Sequence, residues 1–323
     1  MARRKKARPN GLLRLTLLGM FLGVFLSTTL IAEITTLTYE KAVAPPSGLT
    51  YVKTIGYETR FAQWGKLSTN PIVLVHGAFE SVYVWEPVAK ILAHTHHVEA
   101  YDIKGYGYTT HVGPYTTEAL AQQLSAFIVA RHLKNPVLVG HSLGAGVIAQ
   151  FVLDHPKVAA GIIFLDGDGL TLSYPGTGIL NLIPNPYQIA LYDAVIHNDF
   201  LVKTIFMAAC GPGCPPFTHA VLTEVQKPLE VNGAEQSLLS FASRPIVGVS
   251  SNQLIHMRSF AIPSLVIFGS NDSEFSANSA SETAQFIGAP APIIISGAGH
   301  LSMWSHPTQV ASAISSFASK LKH

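Results

Sequence analysis

Charge is sparse in this chain: 12% of its 323 residues are Asp, Glu, Lys or Arg, against 48% that are hydrophobic. That balance excludes a disordered or coiled-coil protein and leaves ample apolar side chains for a core. The formal charge of +2 overstates any basic character. Six of the 21 basic residues (Arg3, Arg4, Lys5, Lys6, Arg8 and Arg14) fall in the first fourteen positions, which hold no acid, and the remainder carries 15 basic against 19 acidic residues. No basic stripe follows, so a nucleic-acid surface is not expected. Cysteine is nearly absent, with two residues in all. Beyond each other, Cys210 and Cys214 have no His or Cys partner at ligand spacing, which argues against a metal site. Repeats and low-complexity tracts are also lacking, and the length fits one large α/β domain with an insertion or two small domains.

What is present begins with the N-terminus. After a basic flank over residues 1–14, the run from Leu15 to Ala32 holds eighteen residues without a charge, rich in Leu, Phe and Gly. A basic flank followed by an apolar span predicts a membrane segment with its N-terminus inside and the body outside the cytoplasm. An uncleaved anchor is the first reading. The alternative is a signal peptide removed near Ala42-Val43-Ala44. Residues 33–49, with Pro45 and Pro46, read as a linker. In an exported chain, Cys210 and Cys214, separated by Gly-Pro-Gly, could close a small disulfide loop.

From residue 50 to 323 a rhythm sets in. Thr50 to Trp64 alternates as two antiparallel strands joined near Gly56. Pro71 to Phe79 is an unbroken apolar run ending in a glycine turn, as expected of a parallel strand covered on both faces. Strands over His97–Asp102, Val137–Val139, Ala160–Asp166, Ser264–Gly269 and Pro292–Ser296 alternate with helical patterns over Val82–His94, Tyr115–Leu133 and Pro307–Leu321. The fold class is therefore α/β, a mostly parallel sheet with flanking helices. Between Asp168 and Ile262 the rhythm breaks. This stretch, with helix-like pieces at Gln188–Ala209 and Phe217–Val225, reads as an inserted helical cap. Its apolar content could line an acyl pocket.

The chemistry centres on Gly140-His141-Ser142-Leu143-Gly144, placed between a β-branched strand and a helix. So sharp a reversal holds its central residue in a strained backbone and needs glycine on either side, which presents Ser142 beyond the carboxyl end of the sheet. A serine nucleophile needs a base, an acid that orients the base, and donors for an oxyanion. His300 follows the last strand and Asp272 the strand before it, so both loops open at the same edge as Ser142. Backbone N–H groups of Ala78, with Phe79 as a second candidate, and of Leu143 could form the oxyanion hole. Asp166 and Asp168 are rival acids. His76 and His141 read as groups that orient loops, Asp102 as a tie within its own turn, and His94, His96 and His97 as surface histidines.

Together His76-Gly77, Trp85-x-Pro87, Tyr101-Asp102-x-Lys104-Gly105-x-Gly107, the elbow, Gly269-x-x-Asp272 and Gly299-His300 resemble the α/β-hydrolase superfamily, in its capped branch, over Thr50 to Leu321. That resemblance implies the α/β-hydrolase fold and a Ser142–His300–Asp272 triad acting on an ester, less readily an amide or thioester, with no cofactor. The expected partner is an apolar small-molecule ester. Dehalogenases and epoxide hydrolases of this fold carry Asp where Ser142 stands, and Lys104 replaces the usual Arg of its loop. A cofactor-free perhydrolase or hydroxynitrile lyase on the same residues, and a non-catalytic binding module, are the alternatives.

Overall fold

The computed structural model describes residues 11–39, 43–66, 70–172 and 179–321. Its centre is a set of strands with no exposed position: β3 (Ile72–Val75), β4 (Val98–Tyr101), β5 (Val137–His141), β6 (Gly161–Leu165) and β7 (Ser264–Gly269). Both faces of these strands are covered, so their sequences are continuous apolar runs rather than alternating ones. Alternation survives only as a choice of face. Ile72, Leu74, Val137, Val139, Ile163 and Leu165 pack on one side, and Val73, Val75, Leu138, Ile162 and Phe164 on the other.

The sheet has eight strands in the order β1-β2-β4-β3-β5-β6-β7-β8. The hairpin of β1 (Thr50–Thr54) and β2 (Tyr57–Trp64) is antiparallel, β2 pairs antiparallel with β4, and every later pair through β8 (Ile293–Ile295) is parallel. Because β4 and β5 lie on opposite sides of β3, the order reverses there, and the crevice at the carboxyl ends of β3 and β5 is the natural place for a site.

After the N-terminal helix α1 (Gly11–Tyr39), one face of the sheet is covered by α2 (Glu86–Leu92) and later by α11 (Ser302–Ser305) and α12 (Pro307–Ala318). The other carries α3 (Thr117–Ala130) and α4 (Leu143–Asp154), then α9 (Ser251–Met257) and α10 (Ala277–Ile287). Between β6 and α9 lie the cap helices α5 (Asn185–Ile196), α6 (Asp199–Cys210), α7 (His219–Gln226) and α8 (Ala234–Ala242). The helix expected over Gln188–Ala209 is thus two, since the Asn198 side chain accepts from Leu201 N–H at 3.1 Å and starts a new helix. The cap is also narrower than 168–262. Bridges Leu170–Val249 and Leu172–Ile246 close its neck, and Leu254 and Met257 of α9 are buried in the core against α4 and α10.

Residues 1–10 of the basic flank and Ala42 lie outside the described residues. Among the described residues no helix is long and apolar enough to cross a membrane, so the span expected over 15–32 is not supported there. Nor is 33–49 a linker throughout, because α1 continues to Tyr39 and Val43 N–H donates to Glu230 C=O at 3.0 Å. Helix α1 lies against α5, where Tyr187 Oη is 2.6 Å from Thr28 Oγ1 and 2.9 Å from Thr29 Oγ1. Its outer face is apolar and exposed at Met20, Phe21, Val24, Leu26 and Ile31.

Candidate functional site

Ser142 occupies the turn between β5 and α4 with φ +49° and ψ −118°, a region costly for any residue with a side chain. The glycines around it are required by contact. A Cβ on Gly140 would lie 2.4 Å from the Gly144 carbonyl oxygen, and one on Gly144 would lie 2.3 Å from that of Val75. The start of α4 therefore crosses β3 at backbone contact, and Leu143, its first residue, contributes one of the helix's unpaired N–H groups.

His300 follows β8 and Asp272 follows β7. His300 Nδ1 stands 2.9 Å from Asp272 Oδ2. The other carboxylate oxygen accepts Glu274 N–H at 2.7 Å and Phe275 N–H at 3.1 Å, so the carboxylate is aimed by its own turn. The Phe275 ring stacks on the imidazole, with centroids 5.8 Å apart. Ser142 and His300 line the same cavity, as do Ala78, Phe79 and Leu143. The serine hydroxyl is not hydrogen-bonded to His300 in this geometry, and such a bond often closes only when substrate binds.

The loop after β3 comes up beside the serine. A Cβ on Gly77 would be 3.0 Å from Ser142 Cβ and 2.8 Å from His141 Nδ1, so only glycine lets the loop approach. Phe79 takes φ +61°, and its ring meets Tyr106 edge-on. His76 donates from Nδ1 to Gly77 C=O at 2.7 Å and accepts Ile103 N–H on Nε2 at 2.9 Å. It orients loops, as expected, and burial holds its pKa below the ordinary value. Glu80, which lines the cavity, was not singled out from the sequence. Its Oε2 accepts Gly77 N–H at 2.7 Å, and both carboxylate oxygens lie 3.1 Å from His141 Nδ1. A lone carboxylate three residues past His-Gly, opposite a histidine beside the elbow serine, was the available signal.

Above this floor the cap closes a cavity of about 550 Å³. Its walls are apolar: Leu172, Val195, Ile196, Val202, Phe206 and Leu238 face it. Cys210 and Cys214 are joined by a disulfide, with Cα atoms 5.6 Å apart. That corner of the cap rests on the histidine loop, since a Cβ on Gly299 would be 2.6 Å from the Cys210 carbonyl oxygen and Leu301 N–H donates to Ala209 C=O at 3.2 Å.

The rival carboxylates are committed elsewhere. Asp166, wholly buried, accepts Gly269 N–H at 2.7 Å and the Ser302 hydroxyl. Burial pushes its carboxyl up to about 7, against Ser302, His300 and Gly269, which all favour the anion. Asp168 accepts Leu170 N–H at 2.9 Å at the neck of the cap, and burial raises its pKa. Asp102 ties its turn through Tyr108 N–H at 2.8 Å and also takes Val82 N–H at 2.6 Å. Lys104, in place of the usual Arg, makes a cation–π contact, its Nζ 5.3 Å from the Tyr57 ring centroid. His97 is a correction: far from the surface, it is buried with Nε2 2.9 Å from Glu99 Oε1, and Arg131 holds the same carboxylate.

The chain is similar to known proteins. A model of the alpha/beta hydrolase family matches residues 72–313. The pyrethroid hydrolase of Sphingobium wenxiniae is 26% identical over 273 residues, covering 78% of this chain and 89% of that protein. Ethanol acetyltransferase 1 of Cyberlindnera jadinii is 34% identical over 108 residues, so the match spans 33% of this chain and 32% of that relative. Among solved structures, one described as a membrane phospholipase A superposes with a TM-score of 0.68 over 96% of each chain, at 19% identity, a likeness of fold.

Proposed function

This chain belongs to the alpha/beta hydrolase family, and we propose that it is a serine hydrolase cleaving esters of apolar acids through an acyl-enzyme. The observation that carries this reading is the 2.9 Å Asp272–His300 pair, whose imidazole lines one largely apolar cavity together with Ser142. Asp272 keeps the proton of the imidazole on Nδ1, leaving Nε2 to take the proton of Ser142 as its oxygen attacks the ester carbonyl. Backbone N–H groups of Leu143 and Ala78 receive the developing oxyanion. His300 then protonates the leaving alcohol, and water, activated by the same imidazole, releases the acid. The apolar walls supply affinity for an acyl chain, and Ser142 with His300 places the reacting carbonyl at the floor.

A second reading is favoured by the ethanol acetyltransferase relative: an alcohol, rather than water, accepts the acyl group. One experiment addresses both. Purified protein is given p-nitrophenyl esters graded in acyl length, with and without ethanol. Hydrolysis that rises with chain length and vanishes in Ser142→Ala supports the hydrolase; accumulation of ethyl ester in preference to free acid supports transfer. Amides and peracid formation, tested alongside, separate the amidase and perhydrolase alternatives. The uncharged run from Leu15 to Ala32 behind its basic flank supports a tether that holds the body outside the cytoplasm.

A further inference from the structure

His141, between Gly140 and Ser142, is fully buried, and both of its ring nitrogens face acceptors. Nε2 is 2.8 Å from the His300 carbonyl oxygen, which can only accept. Nδ1 is 3.1 Å from both oxygens of Glu80, and Glu80 already accepts Gly77 N–H at 2.7 Å. A neutral imidazole has one N–H and can satisfy only one of these partners; the imidazolium satisfies both. His76, at the start of the Glu80 loop, shows the contrast: it meets one donor and one acceptor, and burial favours its neutral form.

Two consequences follow from the pair. The loops after β3 and β8, which carry the oxyanion donor Ala78 and the base His300, are tied to each other through one ring. In addition, the Glu80 carboxylate lines the same cavity as Ser142, two positions past Ala78. Unpaired, that charge would oppose the transition state, because the surroundings are apolar and screen little.

We propose that His141, charged and paired with Glu80, is a positioning residue for the reaction, tying the oxyanion loop to the His300 loop and offsetting the Glu80 charge beside the oxyanion site. The proposal rests on the serine-hydrolase reading. Burial works to lower the His141 pKa, but the Glu80 carboxylate and the His300 carbonyl outweigh it and leave it raised; burial works to raise Glu80, and His141 with Gly77 N–H leaves it lowered. The other groups facing the pair are the His300 ring, 4.9 Å from that of His141, the Trp85 ring, 6.3 Å away, the Asp272 carboxylate, the neutral His76 ring and the Tyr106 hydroxyl.

The test compares His141→Gln, Glu80→Gln and the double variant with wild type on p-nitrophenyl butyrate, together with nitrogen-15 NMR of the histidine rings in the full chain. His141→Gln leaves a bare carboxylate at the site and should lower kcat about 10²-fold with little change in KM. Glu80→Gln should cost less, and adding it to His141→Gln should restore turnover at least tenfold, because the uncompensated charge is gone. A double variant as slow as His141→Gln or slower overturns the charge offset. In the NMR arm, His141 should show both nitrogens protonated at pH 7 in wild type and in Ser142→Ala, and Glu80→Gln should lower its titration midpoint. A neutral His141, or a midpoint that Glu80→Gln leaves in place, overturns the pair even if His141→Gln does not fold. Ester turnover that survives Ser142→Ala refutes the hydrolase reading instead, and the ring spectra then decide the pair on their own.

Discussion

Replacing Asp272 by Asn changes one proton and almost nothing else. The Asn carbonyl oxygen can keep the two bonds from Glu274 N–H and Phe275 N–H, at 2.7 and 3.1 Å, that hold the turn. The amide NH₂ then faces His300 Nδ1 across the present 2.9 Å contact. Two donors cannot share that contact, so the imidazole proton moves to Nε2, toward Ser142, and the ring can no longer accept the serine proton. Loss of a correctly held tautomer costs about 10⁴-fold in kcat, or ~5.4 kcal/mol at 1.36 kcal/mol per decade. KM and the folded circular dichroism spectrum should barely move, because the cavity walls and the turn are intact. Steady-state kinetics on Asp272→Asn, Asp166→Asn and Asp168→Asn decide the matter. If Asp272→Asn retains more than about a tenth of wild-type kcat while Asp166→Asn loses the decades assigned here to Asp272, the acid belongs at the end of β6 and the reasoning is wrong.

Three further outcomes are expected. Asp166, raised from 3.8 to about 7, contributes most to stability below the unfolded value and loses that contribution as pH rises from about 4 to 7, so Asp166→Asn should gain on wild type over that window, by on the order of 4 kcal/mol at most; a melting difference that is flat with pH contradicts this. Cys210→Ser with Cys214→Ser opens a loop of sequence separation 4, worth about 2 kcal/mol by loop entropy, and should lower the melting temperature by several degrees; two alkylated thiols in the unreduced protein would remove the basis for the effect. Protease added to intact spheroplasts should digest the body if the N-terminal segment tethers it outside, whereas protection until lysis refutes export.

Much of the fold was legible because parallel strands covered on both faces leave continuous apolar runs, as at Ile72–Val75 and Ser264–Gly269, and because the glycines of the elbow are dictated by backbone contact. The loops of Asp272 and His300 could be placed by the strands they follow. What stayed hidden was pairing between distant side chains. Glu80 and His141 are 61 positions apart, and His97 looked like a surface residue until Glu99 and Arg131 closed over it. The break between α5 and α6 was visible in Asn198-Asp199, a helix-start signal masked by the apolar run on either side. The neck of the cap was not, since single bridges such as Leu170–Val249 leave no periodic pattern.

The central claim is that Ser142 carries the acyl group, and rapid-quench mass spectrometry of the protein reacting with p-nitrophenyl butyrate tests it most directly. The account predicts a burst of nitrophenolate equal to the enzyme concentration, a butyryl mass added to the intact chain, and that mass located on Ser142 after digestion. It also predicts that His300→Ala abolishes the burst. Turnover with the acyl group on another residue, or at full rate in Ser142→Ala, contradicts it.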